Sequence, residues 1–274
     1  MMNSRERILL TGEEETLLIP IYSKATESQR PNPIFVDEKA QDILKHLEYD
    51  FSLLEIPRKT AITLCIRANK LDDYARKYLA DHPQCVVIHL GCGLDSRCLR
   101  VEHDENVEWY DLDMPAVIEL RRKFYEETPT YHLIPSSVTD LRWIEAISSR
   151  GRPVLVVAEG LLMYLKEAEV RALIIKLKEG FPSCDLACDV YSILTARHAK
   201  GISSLRKTGA VIQWGIDDAR AIETWAAGIR LREEWYFTRA EEINKLGAGY
   251  RIAFWLAGLF KAANRAHRIF YLSL

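Results

Sequence analysis

The segment VVIHLGCGLDSR (86–97) has the residue types of a ligand-binding turn between a strand and a helix. An apolar, β-branched run leads directly into Gly91 and Gly93, and a helical stretch follows. Glycines permit a tight turn and let a ligand approach bare backbone amides, which point toward it at the start of a helix. The segment therefore predicts a binding turn of the kind that holds nucleotide-like ligands.

The other residues of this turn disfavour a cofactor that contains pyrophosphate. A dinucleotide fingerprint of the form GxGxxG would have a third glycine where Ser96 stands. Asp95 adds a negative charge at the start of the helix, where it would repel a pyrophosphate. An oxidoreductase that uses a nicotinamide dinucleotide is therefore disfavoured.

A carboxylate follows Gly93 by 20 residues, at the end of the next predicted strand. From that place Asp113 can accept hydrogen bonds from the two hydroxyls of a ribose, and Asp111 is a competing candidate. A glycine turn and a ribose acid without a phosphate-binding device indicate S-adenosylmethionine. The alternative for the same residues is an ordinary turn followed by a solvated acid.

Strands that alternate with helices must position these residues. Short apolar runs predict strands at 85–90, 107–113, 132–138, 153–159, 184–191, 231–237 and 267–273. Helical stretches are predicted at 37–47 with Asp37 as N-cap, and at 60–79, 114–127, 140–149, 167–179 and 250–264. This alternation predicts an α/β fold: a mostly parallel, seven-stranded, Rossmann-like sheet covered on both faces.

The chain is predicted to form one domain, 1–274. It divides into an N-terminal helical cap (1–82), a Rossmann-like core (83–191 and 231–274) and a helical insertion (192–230). The stretch 21–40 holds two prolines and is expected to be an ordered loop. The insertion is expected to be a lid over an acceptor pocket, and the alternative is that it only adds core. Its basic and apolar residues are Arg197, His198, Lys200, Arg206, Lys207, Ile212, Trp214 and Trp225.

Several motifs together resemble the leucine carboxyl methyltransferase-like family, which includes bacterial polyketide O-methyltransferases of the tetracenomycin type. The matching segments are ETLLIPIYSKATESQRPNPIFVD, IRANKLDDYARKYL, VVIHLGCGLDSRCLR, WYDLDMPAVIELRR, VTDLRWIEAI and VVAEGLLMYL. The resemblance as a whole extends from about Leu17 to Trp235. The resemblance implies a class I methyltransferase fold and S-adenosylmethionine as cofactor.

The resemblance also implies roles for individual residues. The implied cofactor-binding residues are Arg67 at the methionine carboxylate, Gly91 and Gly93 in the turn, Asp113 at the ribose, Asp140 and Leu141 at the adenine, and Glu159 at the methionine ammonium. Ala68 stands where the family usually has threonine. Arg67 alone would also suit a surface helix, Asp140 an N-cap, and Glu159 a buried acid bonded to backbone amides.

Other residues of the matching segments are implied to support the site or to contact the acceptor. Asp95 and Arg97 are expected to brace the turn, His89 to be a satisfied strand histidine, and Lys24 is a candidate for the cofactor carboxylate. Tyr164, Tyr191 and Trp214 are the candidate substrate-binding residues.

The expected reaction is O-methylation of a carboxylate, or of a hydroxyl, on a small-molecule acid. A carboxylate is ionised at pH 7 and needs no general base, so no catalytic residue is assigned. The alternatives are a methyltransferase-fold binding protein without catalysis, a protein C-terminal carboxyl methyltransferase and a nucleic-acid methyltransferase.

Charge, hydrophobicity and cysteine content limit the classes of partner that the protein is expected to bind. A formal net charge of −2 gives no support for a nucleic-acid partner, although 261–268 is locally basic. The longest stretch without a charged residue has 13 residues (82–94), short of the roughly 18 that a membrane helix needs. The six cysteines form neither a CxxC pair nor a zinc set, so we expect buried thiols, no bound metal and a cytoplasmic location. The oligomeric state stays open.

Overall fold

The computed structural model describes residues 6–7, 17–198 and 211–274 of the chain. Within these residues seven strands form one sheet: β1 (Val86–Leu90), β2 (Glu108–Asp113), β3 (Tyr131–Pro135), β4 (Val154–Ala158), β5 (Cys184–Tyr191), β6 (Arg230–Tyr236) and β7 (His267–Ser273). Their order across the sheet is β3-β2-β1-β4-β5-β7-β6. The first five strands are parallel, and β7 runs antiparallel to both β5 and β6. The predicted α/β fold is confirmed.

Helices flank the sheet and precede it. They are α1 (Leu18–Ser28), α2 (Glu38–His46), α3 (Arg58–Asp81), α4 (Arg97–Arg100), α5 (Pro115–Arg121), α6 (Arg142–Ala146), α7 (Glu167–Gly180), α8 (Ile193–His198), α9 (Ala248–Leu259) and α10 (Lys261–Asn264). Short 3₁₀ helices lie at Phe51–Leu54, Leu162–Tyr164, Ala219–Thr224, Phe237–Arg239 and Glu241–Lys245. A two-residue parallel pairing joins Glu6–Arg7 to Leu47–Glu48.

The central strands follow from their composition. All five residues of β1 and all five of β4 are buried, as expected for continuous apolar runs in a parallel sheet that is covered on both faces. Asp37 caps α2 as predicted, because its side chain accepts a hydrogen bond from the Ala40 amide at 2.9 Å. No described helix is long and apolar enough to cross a membrane.

The expectation of a loop over 21–40 is wrong in its first part, because α1 extends to Ser28. Leu18, Ile21 and Ala25 lie on one face of this helix and are buried in the core. Apolar residues at this spacing favour a helix once a neighbouring surface covers them, and the two prolines lie beyond its end. The helix predicted over 250–264 is divided in two at Phe260.

The described part of the insertion contributes several side chains to the core. Trp214, Ile216, Ile222 and Ile229 are buried in the apolar cluster that also contains residues of β4, β5 and α7. By contrast, Ile212 packs against Met163 and against Ala196, which lies in α8, in a small separate cluster. The predicted lid residues Lys200, Arg206 and Lys207 lie outside the described residues. Buried side chains of 214–229 therefore belong to the core, and the lid role of the insertion stays a prediction.

Candidate functional site

A cavity of about 610 Å³ lies at the carboxyl ends of β1, β2, β4 and β5. Ligands bind at this edge of open α/β sheets, and the volume is typical of sites for small molecules. Its walls come from the glycine turn after β1, the ends of β2 and β4, and one face of α3. The topology thus gathers the predicted motifs, which are far apart in sequence, around one space.

The glycine turn and Asp113 meet as predicted. Gly91 and Gly93 have φ values of 63° and 52°, which glycine adopts without strain. The Gly93 amide donates to Asp113 Oδ2 at 2.7 Å, and the Met114 amide donates to Oδ1 at 2.8 Å. Burial raises the pKa of the Asp113 carboxyl, and these two amides oppose the rise. Asp113 lines the cavity, where its remaining lone pairs can accept from ribose hydroxyls.

The competing acid Asp111 serves a structural purpose instead. It is fully buried and pairs with Arg121, and it accepts hydrogen bonds from the Tyr131 hydroxyl at 2.7 Å and the Trp109 indole at 2.9 Å. It does not line the cavity. Of the two acids that the sequence offered, Asp113 is therefore the one placed to contact a ligand.

The structure does not bring Asp140 and Leu141 to the cavity, contrary to their implied role at the adenine. Asp140 is bound to Arg142, whose Nη2 donates to Oδ2 at 2.6 Å, and Leu141 packs on the apolar core. The wall nearest to them is formed by Ser136, Ser137 and Val138, which precede the pair in the same loop. The Asp140 carboxylate therefore forms an exposed ion pair with Arg142 at the start of α6 and does not line the cavity.

Arg67 lies in the cavity wall and not on the surface, since it is only 5% exposed. Its Nε donates to Glu159 Oε1 at 3.2 Å, and its Nη1 donates to Asp189 Oδ2 at 3.1 Å. Nη2 donates to no described residue. The guanidinium is thus fixed by two carboxylates and retains donors for an anionic ligand group, as the implied role requires.

Glu159 is surrounded by cations. Besides Arg67, Arg97 Nη2 donates to its Oε2 at 2.5 Å, and Lys24 Nζ lies 3.5 Å from Oε1. Burial alone would raise the pKa of Glu159, but Lys24, Arg67 and Arg97 hold it well below its usual range. The alternative of a buried acid bonded to backbone amides is wrong, because side-chain cations are its partners. Glu159 is therefore an ionised carboxylate in the cavity wall.

Arg97 and Asp95 brace the turn through different partners. The Arg97 Nε donates to Asp72 Oδ1 at 2.7 Å, and its Nη1 lies 2.8 Å from His89 Nε2. Asp95 accepts from the Arg97 backbone amide and pairs with Lys24. Of the two ring nitrogens of His89, Nε2 contacts Arg97, whereas the buried Nδ1 makes no hydrogen bond within the described residues and lies 3.5 Å from Asp111 Oδ1, so the expectation of a satisfied histidine holds for one nitrogen only. Lys24 lines the cavity between two carboxylates, and its contact with a cofactor stays a prediction.

Two residues of the site were missed in the sequence. Asp189 in β5 is fully buried, and its Oδ1 accepts from the Gly160 amide at 2.5 Å. Its Oδ2 is 2.7 Å from Nε2 of His267, which lines the cavity. The only sequence signal for Asp189 was an acid near the end of an apolar strand. His267 has none, because it comes from the last strand, which the sheet places opposite Tyr191.

The predicted substrate residues separate into two groups. Tyr164 and Tyr191 line the cavity, beside the cluster of Met163, Ala196 and Ile212. Trp214 does not line it: its side chain is buried against the core, with its ring centroid 6.4 Å from that of Trp225. Its expected contact with substrate is wrong, because a large apolar ring gains more from burial in the core than at a wet cavity wall.

The α3 helix supplies a further wall that sequence reasoning did not identify. Thr60, Thr63 and Leu64 precede Arg67 on one helix face and line the cavity, and Lys59 lies exposed at its edge. Among the described residues no group of three or more histidine, cysteine, aspartate or glutamate side chains could hold a metal ion. All six cysteines are buried and unpaired, as expected.

Comparison with known proteins agrees with this geometry. Residues 18–178 match the family description "Leucine carboxyl methyltransferase". The tetracenomycin polyketide synthesis O-methyltransferase TcmP of Streptomyces glaucescens is 40% identical over 253 residues, which cover 90% of this chain and 93% of that protein. The S-adenosyl-L-methionine-dependent methyltransferase dpfgK of Gibberella zeae is 30% identical, with 84% of each chain covered.

A solved structure shares the fold at low sequence identity. The crystal structure of a DUF574 family protein from Streptomyces avermitilis superposes with a TM-score of 0.58 and 11% identity, covering 94% of this chain and 96% of that chain. The two chains therefore share an overall fold although their sequences are only 11% identical.

Proposed function

The chain belongs to the leucine carboxyl methyltransferase family, and we propose that it transfers the methyl group of S-adenosylmethionine to a carboxylate oxygen of a small molecule. The protein is an S-adenosylmethionine-dependent O-methyltransferase; of its relatives, TcmP is named an O-methyltransferase and dpfgK an S-adenosyl-L-methionine-dependent methyltransferase. A small-molecule acceptor is supported by the 40% identity to an enzyme of polyketide synthesis. A cytoplasmic location is supported by six unpaired, buried cysteines.

The observation that carries the proposal is the position of Asp113, Arg67 and Glu159 on the walls of one cavity. Asp113 suits the ribose hydroxyls, because its carboxylate is fixed by the amides of the turn and still has free lone pairs. Arg67 Nη2 suits the methionine carboxylate, and the ionised Glu159 suits the methionine ammonium. These three groups match the ribose hydroxyls, the carboxylate and the ammonium of the cofactor, whose sulfonium supplies an activated methyl group.

The protein contributes position and exclusion of water in this proposal. Methyl transfer is an in-line displacement, so an acceptor oxygen must be held close to the methyl carbon and aligned with it. Tyr164 and Tyr191 offer hydroxyl groups at the acceptor end of the cavity, and Lys59 at its edge attracts an anion. An ionised carboxylate needs no proton removed, which agrees with a reaction that depends on positioning.

Calorimetric titration with S-adenosylmethionine tests the assignment of the cofactor site. Asp113→Ala should weaken binding by about 1–3 kcal/mol, because a charged acceptor of two ligand hydrogen bonds is lost. Asp140→Ala is the matched control, since this carboxylate is bound to Arg142 and does not line the cavity. Equal losses in the two variants would show that the adenine wall rearranges on binding and brings Asp140 to the ligand.

Transfer to the acceptor is tested by mass spectrometry with a panel of aromatic acids and the corresponding phenols. A methyl ester is cleaved by mild base and a methyl ether is not, so the product identifies the accepting oxygen. Ester formation supports the carboxylate proposal, and ether formation assigns the reaction to a hydroxyl. A protein that binds S-adenosylmethionine and methylates neither class would be a binding protein of this fold.

A further inference from the structure

His267 is held rigidly at the acceptor end of the cavity. Its Nε2 lies 2.7 Å from Asp189 Oδ2, and Asp189 itself is fixed by the Gly160 amide and Arg67. The imidazole stacks on Phe237 with ring centroids 4.4 Å apart and meets the edge of Tyr191 at 4.6 Å. The side chain is 14% exposed, and it lines the cavity. Its two nitrogens therefore have different, fixed environments.

The hydrogen bond to Asp189 determines the tautomer of His267. A carboxylate only accepts, so the proton must be on Nε2, and Nδ1 carries a lone pair in the neutral ring. Burial lowers the pKa of His267, and the charges of Arg67 and Arg268 lower it further. These effects together outweigh the hydrogen bond and the charge of Asp189, which raise the pKa. Tyr191, from β5, is the other titratable group against the ring. The lowered pKa favours the neutral imidazole, in which Nδ1 is a hydrogen-bond acceptor.

Nδ1 makes no hydrogen bond to any described residue. When no ligand is bound, solvent can donate to it. A ligand that displaces this solvent without offering a donor leaves an unpaired acceptor and loses affinity. A carboxylate has no donor at pH 7, so the group that the protein methylates cannot satisfy this nitrogen.

We propose that His267 is a specificity-determining residue that accepts a hydrogen bond from a hydroxyl group of the methyl acceptor, so that the acceptor is a hydroxylated acid. This inference rests on the proposed transfer to a carboxylate. The acceptor then has two recognition groups: a carboxylate that receives the methyl group and a hydroxyl that donates to Nδ1. A site built to bind a hydroxyl discriminates strongly against the analogue that lacks it, because its polar group is then left unpaired.

Binding of simple aromatic acids tests the inference without requiring turnover. The probes are 2-naphthoate and a series of its monohydroxylated isomers, titrated into the protein saturated with S-adenosylhomocysteine. The best hydroxylated isomer should bind about tenfold more tightly than 2-naphthoate, the worth of one hydrogen bond in a partly dry site. It should also shift the ¹⁵N resonance of His267 Nδ1, whereas 2-naphthoate should leave that resonance in the position of a free lone pair.

Three variants separate recognition from structure. His267→Phe should remove the advantage of the hydroxyl, because a phenyl ring keeps the stacking but has no acceptor. His267→Gln should restore part of it, since an amide can donate to Asp189 and also accept. His132→Phe is the control, because this half-buried histidine lies on β3 near Glu108 and does not line the cavity. In turnover assays the effect should appear in KM more than in kcat.

The outcomes distinguish the inference from the proposed function. If the hydroxyl gives no advantage, or if His267→Phe keeps the full advantage, the inference is wrong while ester formation from the same acids leaves the proposed function intact. If the wild-type protein forms an ether from the best isomer, the hydroxyl and not the carboxylate receives the methyl group, and the inference is wrong together with the carboxylate proposal. Failure to bind S-adenosylhomocysteine would overturn the proposed function itself.

Discussion

Gly160 is the position where one added methyl group should damage the site most. Its φ is +64°, and a Cβ built there would lie 2.9 Å from Arg67 Nη2 and 3.1 Å from Nη1. Arg67 cannot move aside freely, because Glu159 and Asp189 hold its Nε and Nη1. Gly160→Ala should therefore displace the guanidinium that we assign to the methionine carboxylate.

Gly151 provides the matched control for this substitution. It also has a positive φ, +76°, but a Cβ there would meet nothing within 4 Å. The left-handed conformation costs a non-glycine residue roughly 1–2 kcal/mol, so Gly151→Ala should lower the free energy of unfolding by about that amount. Gly160→Ala should cost about 2–3 kcal/mol more, the worth of hydrogen bonds between charged partners that are no longer aligned.

Two measurements separate the backbone cost from the loss of the ligand contact. Urea denaturation gives the free energy of unfolding, and calorimetry gives the affinity for S-adenosylmethionine. Gly160→Ala should weaken binding by about 10- to 100-fold, corresponding to loss of one charge-assisted contact, and Gly151→Ala should leave binding unchanged. If a folded Gly160→Ala protein binds as the wild type does, Arg67 does not contact the cofactor and our assignment is wrong.

Three further predictions follow from single contacts or segments. Arg67→Lys should bind S-adenosylmethionine at least tenfold more weakly by calorimetry although it keeps the charge, because an ammonium cannot reach Glu159, Asp189 and a ligand in the planar arrangement of a guanidinium; full affinity would contradict this. Arg121 and its neighbours lower the pKa of Asp111 to about 2 against the opposing effect of burial, so its stabilisation is present above the unfolded pKa near 4 and is lost as the pH falls through about 2. Between about pH 4 and pH 2 the Asp111→Asn protein should therefore lose about 2 kcal/mol less unfolding free energy than the wild type, as measured by urea denaturation at each pH. An equal loss in the two proteins would exclude this contribution. Replacing residues 211–230 by a short linker should prevent cooperative folding, as measured by circular dichroism, because Trp214, Ile222 and Ile229 are core residues; a folded product that binds S-adenosylmethionine but does not methylate would favour the lid hypothesis instead.

The fold was accessible from the sequence because its main signals are local. Continuous apolar runs such as VVIHL and VLVVA can only be strands buried on both faces, and the alternation with helices implies a parallel sheet. The glycine turn and Asp113 were also predictable, since the turn needs glycine and the next strand must end beside it. The N-terminal segment was harder to predict. The helix α1 was missed because it has few residues that strongly favour a helix, so its formation depends on the surface that covers it.

The sequence by itself determined the sheet, the turn after β1 and the residue types that can hold an S-adenosylmethionine-like ligand. Tertiary structure decided which charged residues share the cavity. Asp140 pairs with Arg142, and Trp214 is buried in the core. Asp189 and His267 meet at the site although they are 78 residues apart in the chain. For Asp189 the physical reason is that a buried charge is tolerated only with a partner. The pairing of β5 with β7 brings that partner, His267, close in space, and no local sequence pattern records this pairing.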